Sequence, residues 1–269
     1  MTAEQNKMAY MIMCNYLVKI LPEGMQRRDL NKYMVSEHQE IDSLETIYEQ
    51  FLFSAQNYRS MPQTIKFVER KDDIKQTLHN YNFDQIIDIG AENLYRTFRT
   101  QFNVTSADNN YNSWLKWSKS AVSAAKFMKE FDSVEDFVNF VQVFDYNLHT
   151  RMGLPLLIAK KIHGFEFALA CDALKELGFT NYCKPDVHIM DVLEKTGMCS
   201  RDPIDVFETM TQMARDCNVT PYKLDKIMWL ICSGDFYLDN IRVPRHKNEL
   251  IDILNNKLQL NPQNTNLNV

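Results

Sequence analysis

The chain has 269 residues, enough for one large domain or two small ones that bury a core without disulfide bonds or metals. Hydrophobic residues make up 45% and charged residues 24% of the chain, which excludes a protein disordered throughout. A net charge of −5 is unusual for a nucleic-acid-binding protein, although a local basic patch is enough to hold phosphates.

Helix-start signals recur in chain order, and the scarcity of glycine and proline, 7 and 8 residues, also favours an all-α fold. The apolar residues of segment 8–20 recur at helical spacing, and Asn15 and Lys19 interrupt a segment that is too short to cross a bilayer. We therefore expect a buried first helix and no membrane partner. Further predicted helices begin at a capping-box-like pair of Asp42 and Glu45, span 111–131, and run from Asp132 with Glu135 to about 144.

An Asp-Pro pair and a Thr-Pro pair predict the starts of two later helices, because proline fits the first helical position after a capping residue. Asp202-Pro203 predicts a helix to about Cys217, and Thr220-Pro221 predicts one that glycine ends at Ser233-Gly234. Residues 85–89 are β-branched and are compatible with a short, solitary strand. The six cysteines form no Cys-x-x-Cys pair, which indicates reduced thiols and no metal site. We therefore expect an intracellular protein, located in the cytoplasm or in the nucleoid or nucleus.

The most informative stretch is 151–197, which predicts a helix to residue 161, a short connection at 162–166, a second helix over 167–177 and a third beginning near Val187. Gly164 permits a positive φ in the connection. A short connection leaves the first N–H groups of the second helix free, and with the helix dipole they form an anion site. Lys160, Lys161 and His163 flank it, so this turn suits a DNA backbone phosphate.

This stretch resembles the helix-hairpin-helix DNA glycosylase superfamily, which includes endonuclease III and the alkyladenine and 8-oxoguanine glycosylases. Ile162-His163-Gly164-Phe165-Glu166 stands where the family has its hairpin, and Asp186-Val187-His188-Ile189 stands where it has a Val-Asp-Thr-His-like segment. Asp186 follows Gly164 by 22 residues, as in endonuclease III. The resemblance covers 151–197 well and 202–234 more weakly, and the first 150 residues do not align.

The resemblance implies a monomeric, all-α protein in which two helical subdomains flank a DNA-binding cleft. One subdomain is expected over 26–180 and ends in the helix-hairpin-helix. The other is expected to combine 1–25 with 181–257. The Asn- and Gln-rich tail, 258–269, is expected to be disordered.

Three departures from the family pattern refine the expected chemistry. Ala168 stands where bifunctional members carry their Schiff-base lysine, which points to the monofunctional branch that uses water and one carboxylate. Glu166 replaces the second hairpin glycine and should repel phosphate. No four-cysteine cluster follows Asp186, so no iron–sulfur cofactor is expected, although the family hairpin can hold a monovalent cation through backbone carbonyls.

Asp186 is the predicted catalytic residue. A carboxylate beside the sugar stabilises oxocarbenium character and can orient or deprotonate the attacking water. The alternative is that Asp186 only caps the following helix. Predicted DNA contacts are Lys160, Lys161, His163, Gly164, Phe165, Lys184 and His188. Trp114 and Trp117 are expected to line a pocket for a flipped base.

Several of these residues have a plainer interpretation. Trp114, Trp117 and Phe165 fit a core role, Lys184 an ordinary surface position and His188 a hydrogen-bonded structural position. Two other functions stay open: a non-catalytic DNA-binding or interaction module on the same fold, and a glycosylase with lyase activity from Lys160, Lys161 or Lys184. The sequence does not name the base that is removed.

Overall fold

The computed structural model describes residues 1–35, 41–58 and 61–258. The chain divides into two compact units, His38–Leu177 (the central unit) and Met1–Glu37 with Gly178–Val269 (the terminal unit). Over the described residues the α-helices are α1 (Ala3–Lys19), α2 (Asn31–Met34), α3 (Leu44–Gln56), α4 (Met61–Ile65), α5 (Lys71–Thr77), α6 (Phe83–Gln101), α7 (Ser113–Met128), α8 (Val134–Phe144), α9 (Leu148–Lys161), α10 (Phe167–Glu176), α11 (Val187–Lys195), α12 (Pro203–Asp216), α13 (Pro221–Ser233) and α14 (Lys247–Leu258).

Short 3₁₀ helices cover Arg27–Leu30 and His79–Tyr81, and a small antiparallel sheet pairs strand β1 (Asp235–Phe236) with β2 (Ile241–Arg242). The all-α prediction is therefore confirmed in its coarse form: the described residues are mostly helical. Among those same residues, no helix combines the length and apolarity that a membrane crossing needs.

The central unit is built around α7, which packs on α3, α6 and α9. Trp114 and Trp117 on this helix are 1% and 0% exposed. The indole of Trp114 stacks on Phe102 with ring centroids 5.0 Å apart, and Trp117 Nε1 donates a hydrogen bond to the Leu52 carbonyl at 3.1 Å. Burial of each such aromatic side chain contributes about 1.5–3 kcal/mol to folding, so α7 organises the core beside the α9–α10 connection.

The terminal unit is organised by α1, which packs on α12, α13 and α14, while α11 packs on α13 and α14. The predicted first helix is thus present, and it begins at Ala3 with the Thr2 side chain as its cap. Helix α13 ends as predicted at Gly234, whose φ of 67° is left-handed. A Cβ there would lie 2.3 Å from the Val243 carbonyl oxygen, so only glycine lets the chain that follows β2 pass this close.

Several predicted boundaries need correction. Ser43 and Ser133, not Asp42 and Asp132, cap α3 and α8, because each serine hydroxyl accepts the N–H three residues later at 3.1 Å. The helix predicted over 111–131 spans Ser113–Met128. Residues 85–89 are helical rather than extended, because the Asn82 side chain caps α6. In the tail predicted to be disordered, Leu258 ends α14, and 259–269 lie outside the described residues.

Candidate functional site

The connection between α9 and α10 is anchored to α7 by two serine hydroxyls. The His163 N–H donates to Ser123 Oγ at 2.8 Å, and Ser120 Oγ donates to the His163 carbonyl at 2.7 Å. Gly164 follows with a φ of +78°, and a Cβ at this position would lie 3.2 Å from Ser120 Oγ. Because both peptide groups of His163 are held, the turn is fixed in one conformation on the surface of α7.

A surface depression of about 350 Å³ opens beside this turn, lined in part by Lys116, Lys119, His163, Gly164 and Glu166. The two lysines, three residues apart on α7, lie on one helical face. Lys116 Nζ sits over the Tyr111 ring at 5.6 Å, and Lys119 Nζ is 4.0 Å from a carboxylate oxygen of the exposed Glu92. Such an exposed pair is weak, so the depression, hereafter the hairpin depression, keeps a positive wall.

The charge of the hairpin depression acts on the imidazole of His163. Burial, together with the nearby ammonium groups of Lys119 and Lys116, lowers the pKa of His163 below its ordinary value. The imidazole is therefore neutral at pH 7 and can gain a proton when an anion enters. Sequence reasoning missed Lys116 and Lys119. Their i, i+3 spacing places both on one face of α7, but only the packing of α7 brings that face to His163.

The N-terminus of α10 lacks a side-chain cap. Glu166 occupies the capping position with extended backbone, but its carboxylate accepts no capping hydrogen bond and the residue is exposed. Phe165 is 5% exposed and its ring packs on Phe51 at a centroid distance of 5.8 Å, so its side chain belongs to the core. The Phe165 N–H donates to the Ile162 carbonyl at 3.2 Å. The carbonyl oxygens of Ile162 and His163 already accept hydrogen bonds, from the Phe165 N–H and from Ser120 Oγ. A monovalent cation at this turn would share these oxygens with those donors.

The two lysines at the end of α9 differ in their partners. Lys161 Nζ donates to both carboxylate oxygens of Glu130 at 2.6 and 2.8 Å. Lys160 is exposed and forms no ion pair with any residue that the structure describes. Of the predicted pair, Lys160 is the one whose charge is unneutralised.

Trp114 and Trp117 are both committed to the core of the central unit. Trp114 is sandwiched with Phe98 and Phe102, and Trp117 packs against Phe67 at a centroid distance of 6.0 Å. The expectation that they line a pocket for a base does not fit this burial, because neither indole face is open to a ligand. Core packing accounts for both.

In the terminal unit, Asp186 caps α11 with a single carboxylate oxygen. Its Oδ1 accepts the N–H groups of His188 at 2.8 Å and Ile189 at 3.0 Å. Its other oxygen, Oδ2, has no hydrogen-bond or ion-pair partner among residues 1–35, 41–58 and 61–258, and the residue is half-buried. The capping role is therefore observed, and it leaves one oriented oxygen open.

His188, whose N–H binds the Asp186 carboxylate, lies among charged side chains. Burial lowers the pKa of His188, an effect that Asp186 opposes and that Lys247 and Arg245 reinforce. The Nδ1 atom of His188 is buried without a hydrogen-bond partner in the described structure. Although burial opposes it, hydrogen bonds from Lys247 and Arg201 hold the pKa of Asp191 below its usual range. Asp191, which also acts on His188, is thus neutralised by Lys247 and Arg201.

The remaining predicted contact is Lys184, whose backbone N–H donates to Asp225 Oδ2 at 2.5 Å. The Lys184 carbonyl in turn accepts the Asp186 N–H at 2.8 Å, so the loop before α11 is tightly turned. Burial raises the pKa of Cys232 to about 12, and the charge of Asp186 adds to this effect, so the thiol next to the candidate carboxylate is inert. Where the chain is described, no three His, Cys, Asp or Glu side chains converge as a metal site would require.

Comparisons of the chain with protein-family models, with curated protein sequences and with solved structures give no match. Any functional assignment therefore depends on the geometry of the chain's own residues. The assignment below rests on two features: the hairpin depression of the central unit and the open Oδ2 of Asp186 in the terminal unit.

Proposed function

We propose that this protein is a monofunctional DNA glycosylase of the helix-hairpin-helix type, which hydrolyses the N-glycosidic bond of a damaged or modified base. In this proposal the central unit holds a backbone phosphate and the terminal unit supplies the catalytic carboxylate. The observation that carries it is the state of Asp186, which is held rigidly through Oδ1 while Oδ2 stays open.

The open oxygen suits the chemistry because base loss builds positive charge on the sugar. A carboxylate oxygen that already has a fixed direction stabilises that charge without reorganising, and it can accept a proton from the attacking water. The N-terminus of α11 favours the negative charge of the group. Lys247 and Arg245 add nearby positive charge that suits the flanking phosphates.

The hairpin depression supports DNA binding independently of the chemistry. Lys116, Lys119 and His163 offer donors to a phosphate, and the uncapped N-terminus of α10 adds its positive end. Phosphate contacts of this kind position a protein on DNA without reading its sequence. The identity of the base would then depend on a pocket for the flipped nucleotide.

The test is incubation with oligonucleotides that each carry one modified base, in duplex and single-stranded form. The panel contains 8-oxoguanine, alkylated purines, uracil, hypoxanthine and mismatches, and products are read with and without hot alkali. We expect strand breaks that require alkali on at least one substrate, and their loss in Asp186→Asn. Absence of cleavage across the panel despite DNA binding would favour the non-catalytic module.

That second candidate is favoured by two observations: the exposed carboxylate of Glu166 stands at the turn before α10, and Lys161 is neutralised by Glu130. A third candidate, lyase activity, requires an amine that can form an imine, and Lys160 is exposed without an ion-pair partner in the described residues. Borohydride trapping separates it, because only an imine gives a covalent protein–DNA adduct. Trapping in wild type and its loss in Lys160→Gln would replace the monofunctional proposal.

A further inference from the structure

The terminal unit contains a second concave site that the proposed glycosylase function does not use. It is a cavity of about 170 Å³ between α1, the 3₁₀ helix Arg27–Leu30, α2 and α13. Its polar lining consists of Tyr10, Cys14, Arg27, Asn31 and Lys223. We name it the α1–α13 cavity.

Two cations and no carboxylate line the α1–α13 cavity. Neither Arg27 nor Lys223 forms an ion pair with any part of the chain that the structure describes, although the protein as a whole is acidic. Both cations lie near Cys14. Burial raises the pKa of this thiol, while the positive charges of Lys223 and Arg27 lower it. Burial also raises the pKa of Tyr10, so its hydroxyl stays neutral. The positive charge facing the cavity is therefore uncompensated.

The rest of the wall is apolar. Leu17 and Ile227, 1% and 3% exposed, lie beside the polar groups, with Leu30 at 8%. A guanidinium and an ammonium together match a group with two negative charges, and arginine pairs with phosphate oxygens through a planar fork. An apolar wall beside them suits a compact carbon skeleton that carries the charge.

We propose that the α1–α13 cavity binds a phosphomonoester, with the phosphate on Arg27 and Lys223 and the organic part against Leu17 and Ile227. The phosphate can come from a small metabolite or from the 5′ end of a nucleic acid. The cavity belongs to the terminal unit, as Asp186 does, but none of its lining residues takes part in the proposed hydrolysis. Its ligand and the glycosylase activity can therefore be tested separately.

The test is calorimetric titration of the full chain with inorganic phosphate, with phenyl phosphate, and with a short oligonucleotide bearing either a 5′-phosphate or a 5′-hydroxyl. The variant is Arg27→Gln/Lys223→Gln. The matched control is Arg28→Gln/Lys19→Gln, which removes the same charge from exposed positions of the same unit that do not line the cavity. We expect phenyl phosphate to bind wild type and the control alike, and to bind the cavity variant at least about tenfold more weakly.

A second readout is independent of affinity. Cys14 lines the cavity and is half-buried, so a bound ester should slow its alkylation by iodoacetamide, as peptide mass spectrometry can measure, and leave Cys199 unaffected. Tighter binding of the 5′-phosphorylated oligonucleotide than of phenyl phosphate, with an advantage over the 5′-hydroxyl form that the cavity variant loses, assigns the ligand to a nucleic-acid end. The reverse order, with equal binding of the two oligonucleotides, assigns it to a small ester. Equal weakening in both double variants, or absence of binding and protection, overturns the site whether or not the protein excises a base.

Discussion

Helices α10 and α11 follow one another in sequence, yet their N-termini differ in what meets the first N–H groups. At α11 the carboxylate of Asp186 accepts two of them through Oδ1. At α10 the capping position is held by Glu166, whose side chain makes no capping bond, and the adjoining wall carries Lys116 and Lys119. The helix dipole therefore stabilises the protein's own anion at α11, whereas the side chain at the capping position of α10 makes no such bond. A capping aspartate can thus begin a helix with one carboxylate oxygen and leave the other oxygen without a partner among the described residues.

The largest effect that would test this contrast comes from removing the side chains of two capping aspartates in the terminal unit. Asp202 caps α12 as Asp186 caps α11, with its Oδ1 accepting the Ile204 N–H at 2.8 Å. Asp186→Ala and Asp202→Ala should each lower the free energy of unfolding by about 0.5–2 kcal/mol. Only Asp186→Ala should lose base release, by about 100-fold or more. Denaturant melts and excision assays measure both, and equal activity losses would reduce Asp186 to a structural cap.

A smaller effect is expected at the turn before α10. Gly164→Ala forces a side chain into left-handed backbone, which costs about 1–2 kcal/mol, and brings its Cβ to 3.2 Å from Ser120 Oγ. Gly24→Ala carries similar backbone strain, at φ +86°, with no atom within 4 Å of the new Cβ. We expect both to lose stability and only Gly164→Ala to lose DNA affinity in fluorescence anisotropy. Unchanged affinity in Gly164→Ala would remove the turn from the DNA contact.

Removing the charge at the capping position of α10 tests whether this carboxylate weakens DNA binding. Glu166→Gln keeps the size of the side chain and removes an anion from the hairpin depression, so DNA affinity should rise about two- to fivefold. Glu135→Gln removes an exposed carboxylate from the first turn of α8 and serves as the matched control. A gain confined to Glu166→Gln in anisotropy titrations locates the phosphate at α10, whereas equal gains would reflect net charge alone.

The smallest expected effect is a pH dependence from His163. Its pKa is lowered by burial and by Lys119 and Lys116, so the folded protein takes up this proton less readily than the unfolded chain. The contribution of this group to stability is therefore complete above the unfolded pKa of about 6.5 and declines as the pH falls towards the folded pKa. A bound phosphate would favour the protonated form of His163 instead, so DNA affinity should increase as the pH falls over that range.

His163→Gln should remove the pH dependence of both quantities, and His149→Gln, at an exposed position of α9, should keep it. Melting and anisotropy between pH 5.5 and 8 measure the two. Persistence of the affinity change in His163→Gln would assign it to another group.

Sequence reasoning located features that depend on neighbours along the chain and missed those that depend on packing. The Asp202-Pro203 and Thr220-Pro221 starts were confirmed because a cap and a proline act within one turn. Ser43 displaced Asp42 as a cap because both are good capping residues and only the backbone geometry decides between them.

The hairpin depression illustrates the second class. Lys116 and Lys119 face His163 only because α7 packs beside the α9–α10 connection, a contact that no local pattern encodes. The burial of Trp114 and Trp117 assigns both residues to the core. Their spacing in the sequence could not do so, because it fits a core face and a pocket wall equally well. For Asp186, the sequence offered the cap only as the alternative to a catalytic role, and both the cap and the open Oδ2 required the structure.

The most direct test of the role of Asp186 compares Asp186→Asn with Asp202→Asn on the modified oligonucleotide from which wild type releases a base. Asparagine caps a helix about as well as aspartate, so neither change should alter folding, and DNA affinity should stay within about twofold of wild type. We predict that the single-turnover rate of base release falls about 100-fold or more in Asp186→Asn and is unchanged in Asp202→Asn. A wild-type rate in Asp186→Asn would contradict it.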